Sequence, residues 1–234
     1  MKKPVRIVVL LLCPALFSLN ALANCRVPEI KANGEFFKSD LVFTGTVLSE
    51  RYRDGPGVQD TGGWYYRIRV LQIFKGPILK QFTVYTEDAS NRFPLEKGRD
   101  YLLFGLRWHG RLEIDSCGNS ALLSDAAKSI QQIRSIATTQ DGEIEGWLAP
   151  ETAGVDLSGI HVVIRSGSQV YRALTDKDGY FQLRAPKGSY VVDFSNHEYY
   201  LNGGDEFWYG PVRFRLHAGE SAALQMVSVR HPKK

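Results

Sequence analysis

The sequence predicts an all-β protein of two small domains, and three observations carry that prediction. Short runs of residues alternate apolar and polar, the period-two signature of strands with one buried face. Tyr66, Ile68 and Val70 set against Arg67 and Arg69 form one such run. Through the second half, turn signals recur about every 8–12 residues, the spacing expected of a β-sandwich. Helical spacing occurs in a single stretch, 125–137, and linker composition follows it at Thr138-Thr139-Gln140-Asp141-Gly142, where we place the domain boundary.

In the first half, 40–50 is rich in β-branched residues and predicts a strand. The Gly- and Pro-containing stretch 51–63 predicts a long loop or hairpin tip. Strands are then expected at 64–74, ended by Lys75-Gly76-Pro77, and at 81–86. A hairpin of 101–106 and 111–114 is expected around Trp108-His109-Gly110. Ala126, Ile130, Ile133 and Ala137 share one helical face, and Ser124 is placed to cap the helix that carries them. The second half predicts seven strands, at 142–148, 160–165, 169–175, 180–184, 189–194, 212–216 and 222–229. The tail His231-Pro232-Lys233-Lys234 is expected to be disordered.

The N-terminus predicts export. Met1-Lys2-Lys3 and Arg6 precede an apolar run over 7–19, and Ala21-Leu22-Ala23 supplies the small residues a signal peptidase reads. Cleavage after Ala23 would leave Asn24 first and deliver the chain to the periplasm or the cell exterior. A membrane anchor needs about 18 or more unbroken apolar residues. The leading run is shorter and holds Pro14 and Ser18, and no later stretch qualifies, so no membrane span is expected.

Loss of the signal also resets charge and cysteine content. Three of the 29 basic residues leave with it, so 26 face 25 acidic ones. A nucleic-acid partner would need a clustered basic face, and this composition gives no reason to expect one. Of three cysteines, Cys13 departs and Cys25 and Cys117 remain. An even pair in an oxidising compartment is expected to bond. A Cys25–Cys117 bridge would close a loop of about 90 residues, a constraint worth roughly 4–5 kcal/mol in the chain-entropy account.

Residues 25–137 resemble the netrin-like family that includes the tissue inhibitors of metalloproteinases and their bacterial relatives. The resemblance is carried by Cys25, Asp40-Leu41-Val42-Phe43-Thr44-Gly45, Ile73-Phe74-Lys75-Gly76, Gly98-Arg99-Asp100-Tyr101-Leu102-Leu103-Phe104 and Cys117-Gly118-Asn119-Ser120. It implies a five-stranded OB-like Greek-key barrel with a flanking C-terminal helix over 24–140. Residues 142–230 resemble carboxypeptidase-regulatory and transthyretin-like domains. Gly142-Glu143-Ile144-Glu145-Gly146-Trp147, Gly159-Ile160-His161-Val162, Thr175-Asp176-Lys177-Asp178-Gly179-Tyr180-Phe181 and Pro186-Lys187-Gly188-Ser189-Tyr190 carry that likeness. It implies a seven-stranded Greek-key sandwich that stabilises, spaces or binds rather than catalyses.

These features favour an exported, non-enzymatic binding protein with a protein or glycan partner. The aromatic segments around Tyr199 and Tyr200 and around Phe207, Trp208 and Tyr209 are the leading ligand surface, because flat rings in a polar loop can stack on sugars or anchor a protein. Trp64 and Tyr65 rank second. In the animal inhibitors the N-terminal Cys chelates the protease zinc, which makes Asn24 and Cys25 the protease contact of an inhibitor reading. Here Asn24 precedes the Cys, and Val27 stands where the family has a second one. No catalytic residue, metal-ligand set or cofactor is expected. The histidines at 109, 161, 197, 217 and 231 lack a second His or a Cys at ligand spacing, and neither His-Glu-x-x-His nor Gly-x-Ser-x-Gly occurs. Glu113 and Asp115 read as a solvated strand edge. Asp176-Lys177-Asp178-Gly179 reads as a turn rather than half a calcium loop, since strands flank it.

N-terminal sequencing of the mature protein is expected to begin at Asn24. A chain beginning at Cys25 would restore the inhibitor reading.

Overall fold

The computed structural model describes residues 30–55, 62–88, 92–150, 156–194, 199–202, 207–208 and 212–228. Its first part is a closed barrel. The strands are β1 (Leu41–Arg53), β2 (Gly63–Lys75), β3 (Gln81–Glu87), β4 (Asp100–Trp108), β5 (Arg111–Ile114) and the short β6 (Ala121–Leu122). They run in the order β1-β2-β3-β5-β4-β6, and β4 also returns to pair with β1. Only β3–β5 among these pairings is parallel. Closure requires β1 to serve two neighbours, and register shifts at Val42/Phe43, Thr44/Gly45 and Val47/Ser49 let it bend between them. Gly45 sits at that bend because a Cβ there would lie 2.7 Å from the Arg69 carbonyl oxygen. Phe43, Tyr66, Ile68, Val84 and Leu103 fill the interior. β1, β2, β3, β5 and β4 close the five-stranded barrel expected from the sequence, with β1 to β4 each longer than expected and the unforeseen β6 added on β4.

Two helices cover one side. α1 (Ala32–Lys38) was not foreseen. α2 (Ala127–Ser135) continues as a 3-10 turn over Ile136–Thr138, two residues later in its start than the expected 125–137. The expected cap is also corrected. Ala126 occupies the N-cap position without a side-chain bond, and the Ser124 hydroxyl donates to Asp125 Oδ1 at 2.8 Å instead. Ala32, Ala126 and Ile133 pack on Val42, Leu102 and Phe104, the outward residues of β1 and β4. Lys75 closes the far end of α1 by donating to the carbonyls of Phe36 at 2.8 Å and Phe37 at 3.0 Å.

The second part is a sandwich of two sheets. Its strands are β7 (Asp141–Pro150), β8 (His161–Ser166), β9 (Gln169–Leu174), β10 (Tyr180–Pro186), β11 (Gly188–Phe194), β12 (Tyr199–Asn202), β13 (Phe207–Trp208), β14 (Val212–Leu216) and β15 (Ser221–Ser228). One sheet runs β10-β7-β15-β12-β13 and the other β14-β11-β8-β9. All seven expected strands are present. β12 and β13 are additional, formed where a loop was expected. β15 lies parallel to β7 over eight residue pairs, from Ser221 opposite Glu143 to Ser228 opposite Pro150. That pairing carries β7 past its expected end at Leu148. Ile144, Leu148, Val162, Ile164, Phe181, Val192 and Leu216 form the buried core between the sheets.

α1 joins barrel to sandwich. Lys31, just before the helix, bonds the Glu143 carboxylate and lies 3.1 Å from Glu145 Oε2. Glu145 is 2% exposed, and it also accepts from Ser221 Oγ at 2.7 Å and Tyr180 OH at 3.2 Å. Asn33 Nδ2 donates to the Gly219 carbonyl at 2.9 Å. The Phe37 and His217 rings stack at 4.8 Å. Gly34 packs so closely on the Ser221 carbonyl that no side chain fits there.

Burial pulls the Lys31 ammonium pKa down, but hydrogen bonds and charge from Glu143 and Glu145 outweigh it and hold the pKa above the ordinary 10.5. The link is therefore fully formed below that pH and is lost as pH rises through the raised value. Lys31→Met is expected to cost about 2 kcal/mol, less than the 3–5 kcal/mol of a fully buried pair because Lys31 is partly solvated. Urea unfolding measures the loss, and the difference from the parent protein should shrink above about pH 10.5.

Candidate functional site

Strand alternation in the four-stranded sheet sends Phe214 and Leu216 of β14, and Val162 and Ile164 of β8, toward the core. Arg213, Arg215 and Arg165 consequently face solvent. Register then brings them together around β11, with Val191 opposite both Arg165 and Arg213 and Ser189 opposite Arg215. The three arginines line an open trough of about 630 Å³ with Gly167, Ser189 and Val191. Tyr190 supports its floor from beneath. Its ring packs 5.8 Å from both Phe214 and Tyr171, and its hydroxyl donates to the Pro186 carbonyl at 2.6 Å. Burial pushes the Tyr190 pKa up to about 12, so the group stays a neutral donor at physiological pH. Among the residues whose side chains are described, none forms an ion pair with Arg165, Arg213 or Arg215. Like charges side by side on a sheet repel. A bound oxyanion relieves that repulsion and can accept paired N–H bonds from each guanidinium.

The barrel has a basic face of its own. On β1 and β2, Arg51 stands opposite Tyr65, Ser49 opposite Arg67 and Thr46 opposite Arg69. Arg51, Arg53, Arg67 and Arg69 are exposed. Arg53 lies over the Tyr65 ring at 5.0 Å and Arg111 over Tyr85 at 4.0 Å, with the two rings 5.1 Å apart. Composition alone did not foreshadow these faces, whereas Glu143, Glu145 and Glu220 are turned toward the junction.

The sites expected from the sequence are distributed differently. Tyr199 and Tyr200 lie on β12 and Phe207 and Trp208 on β13, with Leu201 opposite Trp208 and Asn202 opposite Phe207. The aromatic segment is thus a hairpin at the edge of the five-stranded sheet, while Tyr209 lies outside the described residues. Asn24 and Cys25 also lie outside them. Cys117 is disulfide-bonded. Trp64 packs on the barrel core and carries Arg92 4.9 Å from its ring centroid. Glu113 is held by Arg111 Nε at 2.9 Å, and Asp115 accepts from the Cys117 amide at 2.8 Å. Both line a cleft of about 340 Å³ beside Trp108. Among the described residues no three His, Cys, Asp or Glu side chains converge as a metal site.

The sequence matches no family model and no curated protein. Solved structures give distant likenesses. A DUF3823 family protein from Parabacteroides merdae is 13% identical over 39% of this chain and 47% of its own, with a TM-score of 0.29. The Bacillus anthracis TIE protein is 10% identical over 82% of this chain and 34% of its own, with a TM-score of 0.31. The minor pilin GBS52 of Streptococcus agalactiae is 9% identical over 84% of this chain and 86% of its own, with a TM-score of 0.28. The chain therefore spans about half the length of the first of these and a third of the second. Neither the netrin-like nor the transthyretin-like resemblance is shown by them, and the fold described above rests on its own strand pairings.

The Asp176 turn is fully accounted for within the chain. Asp176 Oδ1 accepts from the amides of Asp178 and Tyr180, both at 2.9 Å, and Gly179 takes the positive φ of +75° that closes the turn. Asp176→Ala is expected to cost about 1–2 kcal/mol in thermal unfolding, the worth of charge-assisted hydrogen bonds. Millimolar calcium is expected to leave the parent Tm unchanged.

Proposed function

We propose that the protein is an exported, non-enzymatic binding protein, and that the trough on its sandwich holds an acidic glycan. The observation that carries this reading is the arrangement of Arg165, Arg213 and Arg215, three solvent-facing cations around one open trough. Its volume falls in the range of small-ligand sites. Guanidinium groups suit carboxylate and sulfate through paired hydrogen bonds, and a sugar chain bearing such groups can follow a shallow surface. The leading segment supports export, and the two β-rich parts, proposed as domains over 24–140 and 142–230, are held together by the Lys31 junction.

Calorimetric titration tests the reading. Uronate-bearing oligosaccharides are expected to bind and neutral ones of equal length are not, with affinity falling as salt rises. Combining Arg165→Glu and Arg213→Glu is expected to weaken binding at least roughly tenfold, since each lost charge-assisted contact is worth about 1.5–3 kcal/mol. Equal binding of neutral and acidic sugars, or none of either, refutes the glycan reading.

A further inference from the structure

The sharpest departure from ordinary surface composition lies between β2 and β3. Ile78 is 91% exposed, Leu79 51% and Leu71 50%. The Val70 amide donates to the Lys80 carbonyl at 3.0 Å and Arg69 stands opposite Gln81, so Leu71 and Leu79 each lie just beyond the last bonded residues of the hairpin. Three aliphatic side chains thus gather at one hairpin end. Large exposed aliphatics grouped in this way mark an interaction site.

The protrusion is held rather than loose. Lys75 is tied to the α1 carbonyls of Phe36 and Phe37. Gly76, at φ +104°, fits against Leu41 and the Asp40 carbonyl, where a Cβ would lie 2.6 Å from Leu41 Cδ1. The chain therefore leaves the barrel on a fixed base and presents Pro77-Ile78-Leu79 outward.

Behind the tip stands a collar of exposed cations, Lys80, Arg69 and Arg67. Among the described residues none of them is in an ion pair. The acid next to the base of the loop, Asp40, accepts from the Arg107 amide at 2.6 Å. Strand geometry sets the spacing. Arg69 is two residues behind Leu71, about 7 Å, and Arg67 about 14 Å. Apolar groups of interfacial proteins sink about 5–10 Å into the boundary of headgroup and acyl chain. With the aliphatic tip at that depth, Arg69 and Lys80 meet the phosphates.

We propose that the β2–β3 hairpin docks the protein onto an anionic lipid surface, with Leu71, Ile78 and Leu79 entering the interface and Lys80, Arg69 and Arg67 binding headgroups. A pocket on a partner protein would take the apolar tip alone. The cationic collar at headgroup distance is what selects lipid, because basic groups beside an anionic leaflet add attraction that short apolar contacts need. The site is separate from the sandwich trough and does not depend on the glycan reading. It lies on the membrane without spanning it, in keeping with the finding that among the described residues no helix is long and apolar enough to cross.

The test is co-sedimentation of the mature chain with vesicles. Mixed phosphatidylcholine and phosphatidylglycerol vesicles are expected to capture it, and pure phosphatidylcholine vesicles are not. Replacing Ile78→Glu and Leu79→Glu, exposed positions that carry no core packing, is expected to weaken capture at least roughly tenfold. Arg67→Glu with Arg69→Glu is expected to act likewise, whereas Arg213→Glu with Arg215→Glu leaves capture unchanged. Failure of mixed vesicles to bind the parent chain overturns the proposal. So does capture that survives Ile78→Glu with Leu79→Glu, or capture lost in the Arg213 and Arg215 variant alone, which would assign lipid binding to the trough.

Discussion

The rest of the structure depends on a single buried carboxylate. Glu145 sits on β7 with 2% of its surface exposed and is satisfied from three directions, by Lys31, Ser221 and Tyr180. Each partner comes from a different element. Lys31 belongs to the chain just before α1, Ser221 to β15 and Tyr180 to β10. A charge withdrawn from water is tolerated only with such compensation, so one acid forces the helix, two strands and the segment joining barrel to sandwich into a fixed relation. Gly34, Asn33 and Phe37 then close around the contact that Glu145 requires.

The charged groups of the two parts are unevenly placed. The outward face of β7 is acidic and is consumed by the junction through Glu143 and Glu145. The other sheet of the sandwich turns Arg165, Arg213 and Arg215 to solvent, and the barrel does the same with Arg51, Arg53, Arg67 and Arg69. Total charge reports none of this, because it does not say which bases share a face.

Strands were legible wherever burial of one face imposes a period of two, as with Tyr66 and Ile68 or Phe181 and Leu183. What escaped was short or long-range. α1 has seven residues, too few for a helical period to show, and a Gly sits inside it. Ser124 was placed as a helix cap, yet the turn in which the Asp125 amide bonds the Leu122 carbonyl delays the helix beyond reach of its hydroxyl. Glu145 alternates with Ile144 like any solvated strand acid, and nothing local announces a partner lysine more than a hundred residues away. The arginines of the trough were each readable as outward. Their convergence was not, because it is set by the pairing of β11 with both β8 and β14.

The parallel placement of β15 beside β7 has a consequence for the order of assembly. β12 and β13 precede β15 in the chain, yet β15 lies between them and β7. The aromatic hairpin therefore has no sheet to join until a later segment has threaded into place, and parallel pairing across so long a separation forms slowly. Until then the outer edge of β7 stays unpaired, and the final sheet closes only when the last strand of the sandwich has found its place.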